Sequence, residues 1–335
     1  MPTFLTTSKM DPALAERIDA SVRGKQGARR SAARSRRIVS LLRLVLVVTV
    51  ALGIYNIVVG RRESKRALER TRASLLESVR VQSESLSAED RAAMSRVASW
   101  LVPLTGPYEG DLVDAELRGP GKLAATLARP LVYVRGTAEA LRSPEGITLA
   151  ASTSTKDALV LCLLEPPESR AEKLLVDKVR IAYAAGWNLE SRTPNVRRLN
   201  DAAVGLPFLL PPWSERVRAA DATELARLRT ELERAPIGRA KEAAKANLLL
   251  VAIDEPGDGS GPTELDGERP HPVRVVLVDL ATSKVLLRSR HSVDPSGITP
   301  AKRATYASGI DSCVLALDVI EDVRRADDRT GRQRL

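Results

Sequence analysis

The chain has 335 residues, 44% of them apolar, and a net charge of +10, enough apolar content for a folded core. The charge is local: residues 1–60 carry ten Lys/Arg against three Asp/Glu, residues 61–85 seven against four, and the remainder 35 of each. That distribution argues against a nucleic-acid-binding globular domain, and two cysteines argue against a disulfide framework or a cysteine-rich zinc module.

Residues 1–37 read as a basic cytoplasmic tail. Asp11 is placed to cap a helix with Pro12 in its first turn, and Leu14, Ile18 and Val22 then form a thin apolar stripe. The run from Arg23 to Arg37 suits an anionic leaflet, each cation contributing about 1 kcal/mol near the headgroups.

Residues 38–60, IVSLLRLVLVVTVALGIYNIVVG, hold one charge, Arg43. As a helix, 23 residues reach about 34 Å, sufficient for a hydrocarbon core of roughly 30 Å. Ile38, Leu44, Leu52 and Val59 are expected to face lipid, and Tyr55 to sit near an interface. Arg61-Arg62 stands where a signal peptide would carry small residues, so the helix is expected to remain as a single-pass signal anchor. Seven Lys/Arg flank the span on each side. Arg43 and the length of the C-terminal part favour a cytoplasmic N-terminus in the inner membrane, with residues 61–335 outside the cytosol.

Residues 61–86 read as a helical stalk, a solvated helix that could also pair with a second copy along Leu68, Leu75, Val79 and Leu86. Ser87-Ala88-Glu89-Asp90 is a capping sequence that opens the next helix. From there the expected fold is α+β, in two similar helix-strand-strand-strand-helix halves, 87–200 and 201–325, with a disordered tail at 326–335. In the first half, Lys122–Ala128 reads as a helix, and Leu131–Val134, Gly146–Ala151 and Ala158–Leu164 read as strands; Glu168–Ala185 follows as a helix ended by Gly186. In the second, helix Asp221–Arg234 and a shorter one to Ala246 precede strands Leu248–Ile253, Val273–Leu280 and Lys284–Val293. A helix then runs to about Arg325. VRVVLVDL is apolar on both faces at its centre and reads as an interior strand.

The hairpin DLATSKVL resembles a turn found in many bacterial envelope lipoproteins, aspartate, two residues, threonine, a small residue, a charged residue and a β-branched one. The likeness spans under a tenth of the chain and implies no site residues.

Few residues suggest chemistry. Gly119-Pro120-Gly121-Lys122 lacks both the first glycine and the Ser/Thr of a phosphate loop, and Gly257–Gly261 is followed by Pro262, not by a helix. If the last hairpin turns at Ala281–Ser283, paired residue numbers sum to about 564. His271 then faces the region of His291 to Val293, with Asp294 and the acidic loop at Asp254, Glu255 and Asp258 within reach. His271, His291 and Asp294 form a candidate divalent-metal set, and no cofactor is expected otherwise. A triad of Ser296, His291 and Asp294 lies too close along one strand end to converge. Cys162 and Cys313 are either a disulfide or two separately buried thiols. LPFLLPPW, with Phe208, Leu209, Leu210 and Trp213, is either a packed linker or a partner-binding patch.

The expected function is non-catalytic: a membrane-anchored extracytoplasmic binding or scaffolding protein of the bacterial envelope. Its partners would be the lipid bilayer, an envelope protein and, through the stalk, a second copy, with no nucleic acid. The alternatives are an anchored hydrolase or metal-dependent enzyme near His271 and His291, and a transmembrane signalling protein acting through the Asp11–Val22 helix.

Overall fold

The computed structural model describes residues 12–154, 157–184, 195–256, 270–294 and 297–332. The chain divides into two units, Met1–Thr71 and Arg72–Leu335. Helix α1 is Pro12–Glu84. In the first unit its apolar stretch has a mean hydropathy of 2.3, and none of that stretch is buried. It is a candidate membrane span by length and composition.

The second unit is a mixed α/β fold around one six-stranded sheet. The strands are β1 (Leu112–Val113), β2 (Leu131–Thr137), β3 (Val196–Arg198), β4 (Leu248–Asp254), β5 (His271–Asp279) and β6 (Lys284–Val293). Their order is β1-β6-β5-β4-β2-β3. β2 runs parallel to β3 on one side and to β4 on the other, while β4-β5-β6-β1 is an antiparallel run. Strands from either side of residue 200 thus interleave in a single sheet, and the expected pair of like halves is not reproduced. β4 and β5 are interior strands flanked on both sides, which matches their uninterrupted apolar runs LLLVAI and VVLV.

Helices cover both faces. On one face α6 (Leu159–Leu164), α7 (Glu172–Ala184) and α12 (Pro300–Arg332) pack on Leu131, Tyr133, Leu250, Val275, Leu277 and Leu287. On the other, α5 (Pro144–Ser154) lies close to β2: a Cβ built on Gly136 would stand 3.0 Å from the Ala150 methyl. Helix α12 extends to Arg332, through most of the region expected to be a disordered tail.

Two expected strands are helices. Gly146–Ala151 belongs to α5, which starts at Pro144, and the Ser143 hydroxyl accepts a hydrogen bond from the Gly146 N–H at 3.0 Å. A serine followed by Pro-Glu is a helix-start signature that outweighs the β-branched residues behind it. Ala158–Leu164 contains α6, buried on every side from Leu159 to Leu163. A short, uniformly apolar run has no periodicity to separate a buried helix from a strand. Here Asp157 Oδ1 accepts from the Leu159 N–H at 3.0 Å and decides for the helix.

Other helix ends follow their sequence signals. Ser87 and Asp90 make a reciprocal capping box at the start of α2 (Ala88–Arg91), and Asp221 caps α10 (Ala222–Arg234) through the Glu224 N–H. The expected solvated stalk is half right. Leu75, Val79 and Leu86 are buried within the second unit, and Arg72 donates to the carbonyls of Val217 and Ala220 at 3.2 and 2.7 Å. The apolar line offered for pairing with a second copy is therefore largely used inside the chain.

Helix α8 (Leu199–Gly205) crosses α11 (Ile237–Ala244) at a glycine: a Cβ added to Gly205 would stand 2.5 Å from the Ala240 Cβ. We expect Gly205→Ala to force the two helices apart and destabilise by about 1–3 kcal/mol, read from the chemical denaturation midpoint.

A buried ion network at the carboxyl end of the parallel strands

Arg135, on β2, is 2% exposed, and a guanidinium so deeply buried requires anionic partners. Asp254, the last residue of β4, supplies one: Arg135 Nη2 donates to Oδ1 at 2.7 Å, and Nε lies 3.1 Å from each carboxylate oxygen. The strand register pairs Arg135 with Ala252. Asp254 is therefore two residues further along β4 and on the same face. Arg135 Nη1 donates to the Ser312 hydroxyl of α12 at 2.9 Å and lies 3.4 Å from Asp157 Oδ2, which also accepts the Tyr133 hydroxyl proton. The His271 Nε2, at the start of β5, is 3.1 Å from Asp254 Oδ1. Ser154, closing α5, holds the Arg135 backbone by accepting from its N–H at 2.7 Å.

The network lies where the chain leaves β2 for β3 on one side and later returns to β4 on the other. Parallel sheets often bind ligands at such switch points; in this fold the place is filled by side chains. Burial alone would push the Asp254 carboxyl up, but the Arg135 guanidinium and the His271 hydrogen bond hold it below the ordinary carboxylate range. Burial works against the Arg135 charge, and the Asp254 and Asp157 carboxylates overcome it, so Arg135 stays protonated. Burial and the neighbouring Asp157 raise the Tyr133 hydroxyl well above its usual value, keeping it a donor. Asp311 completes the cluster from α12 and is 4% exposed.

Of these residues the sequence pointed only to His271 and, within its reach, Asp254, and it offered them as metal ligands rather than as partners of Arg135. The signal was present: Arg135 is the lone charge in LVYVRGT, and Asp254 ends the apolar run LLLVAID. A single charge inside an apolar strand implies a buried partner.

The proposed metal residues separate. Register pairs Val273 with His291 and His271 with Val293, so the numbers sum to 564 as expected and both histidines lie on one face. Their imidazoles turn to different carboxylates, His271 to Asp254 and His291 to Asp322 on α12, the latter at 2.8 Å. No group of three or more His, Cys, Asp and Glu able to hold a metal occurs among the described residues. Asp294 is near enough to Asp311 to act on its charge. Asp11, Gly186, Ser296 and the 257–261 loop lie outside the described residues.

Cys162 of α6 and Cys313 of α12 form a disulfide, with Cα atoms 5.1 Å apart and both residues fully buried. In the LPFLLPPW stretch, Leu206–Leu209 is a tight helical turn and Pro211-Pro212 opens α9 (Pro211–Ala219), where proline is tolerated. Leu209 and Trp213 are buried and Phe208 and Leu210 half-buried, so the stretch is mainly core rather than an open partner patch. Of the anchor residues, Ile38 lies in α1; Leu44, Leu52 and Tyr55 are exposed, and Val59 is half-exposed.

No protein-family model matches the chain, and neither a curated protein nor a solved structure matches it. Fold and site define it as a mixed α/β protein whose parallel strands end on a buried ion network; among the described residues one apolar helix is long enough to span a membrane.

Proposed function

We propose that this chain is a single-pass inner-membrane protein of a bacterial envelope that holds a non-catalytic binding or scaffolding domain outside the cytosol. The observation that carries the reading is the α1 segment from Leu42 to Val58, whose large apolar side chains are 42–64% exposed with no protein covering them. Such a continuous apolar surface far exceeds what water tolerates on a soluble protein, and lipid is its natural solvent. The buried Cys162–Cys313 bridge supports placement of residues 72–335 in an oxidising compartment, which puts the basic N-terminal tail in the cytosol. The charges of Arg135, Asp157 and Asp254 are spent on one another, which favours a structural over a catalytic part for this cluster.

The protein is expected to sediment with membranes, resist a carbonate wash and dissolve only in detergent. Replacing Leu46 and Leu52 by arginine, each costing about 2.5–3.5 kcal/mol near the span centre, should shift it out of the membrane fraction. Recovery of the wild-type chain in the detergent-free supernatant would end this reading. A reporter fused after Leu335 that works only in the cytosol would reverse the orientation.

A further inference from the structure

A cleft of about 570 Å³ is lined by residues 73–83 of α1, by Arg91 at the end of α2 and by α9 with the turn before it. It lies wholly within the second unit, and its size suits one small molecule. Part of the lining is apolar: Val79 and Leu209 are buried, and Leu76 is half-buried. The hydrogen bonds from Arg72 to the Val217 and Ala220 carbonyls hold the end of α9 against α1, so these walls are set without a ligand.

The polar part of the lining has cations to spare. Glu77 is satisfied by Arg80 at 2.7 Å, and Arg80 also binds Glu84. The Arg91 guanidinium donates only to the Ser83 carbonyl, at 3.5 Å, and has no carboxylate partner among the described residues. The Arg218 guanidinium has no partner among them at all. Ser214 adds a hydroxyl to the same lining. Two guanidiniums that neutralise nothing in the chain therefore share one partly apolar cleft.

An anion with an apolar body satisfies both parts. Arginine presents a planar fork of donors that matches phosphate oxygens, and Leu76, Val79 and Leu209 offer an alkyl chain surface away from water. A peptide fits less well: the walls are helical, their backbone groups are bonded along their own length, and an extended segment finds no strand edge to pair with. We propose that this cleft binds one phospholipid-type amphiphile, its phosphate held by Arg91 and Arg218 and its alkyl chain lying on Leu76, Val79 and Leu209. The inference gives the binding domain proposed above a ligand class, and it rests on that reading for where such a ligand is met.

The test is calorimetric titration of the full-length protein, in a neutral detergent, with short-chain phosphatidic acid and separately with inorganic phosphate. The wild type should bind the lipid saturably and the free phosphate at least about tenfold more weakly, since phosphate leaves the apolar lining unused. Arg91→Gln and Arg218→Gln should each weaken lipid binding about tenfold, the loss expected for a hydrogen bond to a charged group. Arg227→Gln with Arg229→Gln removes two charges from α10, outside the cleft, and should leave binding unchanged. Equal binding by the wild type and the Arg91→Gln/Arg218→Gln double variant, an equal loss in the α10 variant, or phosphate as tight as lipid would each overturn the assignment. So would displacement of the lipid by a lower concentration of a glutamate-rich peptide, which would give the cleft to a protein partner. Every arm uses protein already in detergent, so failure here leaves the membrane anchor standing, and sedimentation decides that separately.

Discussion

Replacing Cys162 and Cys313 together by alanine is expected to remove about 4–5 kcal/mol of stability. The two cysteines are 151 residues apart, and closing so long a loop takes a large share of conformational freedom from the unfolded chain. β3, β4, β5 and β6 all lie within that loop, so the bridge constrains most of the sheet when the chain is unfolded. It also joins α6 to α12, the two helices that pack side by side on one face of the sheet. In a unit of this size a loss of 4–5 kcal/mol corresponds to a fall in Tm of roughly 10 °C or more. Trp213, buried at 4% exposure, provides the fluorescence signal. Equal midpoints for the wild type and the double variant would mean that the loop is not closed in the mature protein. The native wild type should show no free thiol, and two only after denaturation in reductant, because neither sulfur is reachable from solvent in the folded state.

The reading of the sequence succeeded wherever a local signal and the tertiary context agree. The final hairpin is legible in register because its turn is short, its first strand is a continuous apolar run and its second alternates. The Ser87 cap is legible because a side-chain oxygen three residues ahead of an orphan N–H leaves the backbone little choice. It failed where tertiary context decides. Val132 through Val134 reads identically in a parallel or an antiparallel sheet, so nothing local shows β2 lying between β3 and β4, with partners 65 and 117 residues away in sequence. α6 is apolar all round because it is buried all round, and that removes the periodicity by which a helix is recognised. The site was missed for a related reason. Its members come from β2, β4, β5, α5, α12 and the turn between α5 and α6, and no spacing along the chain connects them. Arg135 and Asp254 were legible one at a time, as charges where apolar residues belong, but their pairing was not.

Arg135→Met is the substitution expected to damage the second unit most by chemistry alone. Methionine keeps much of the volume, so packing changes little. What is lost is the cation shared by Asp254 and Asp157, both with fully buried side chains. A buried ion pair contributes little net stability as a whole, but removing one partner leaves the other uncompensated, at a cost of about 3–5 kcal/mol. The pH dependence separates this from a packing defect. In the wild type the Asp254 carboxyl is held below the ordinary range, so its stabilising contribution is present above the unfolded-state value and disappears as pH falls through the lower folded-state value. Without Arg135, burial dominates and the same carboxyl is pushed upward. The folded variant then binds protons more tightly than its unfolded chain, and stability should rise as pH falls from 8 toward 5. Adding Asp157→Asn and Asp254→Asn to Arg135→Met removes the stranded charges, and most of the loss should return. Urea midpoints at pH 5 and pH 8 for the wild type, the single variant and the triple variant provide the comparison. A single variant equally weak at both pH values, with no recovery in the triple, would show that Arg135 acts through its packed stem and not through its charge.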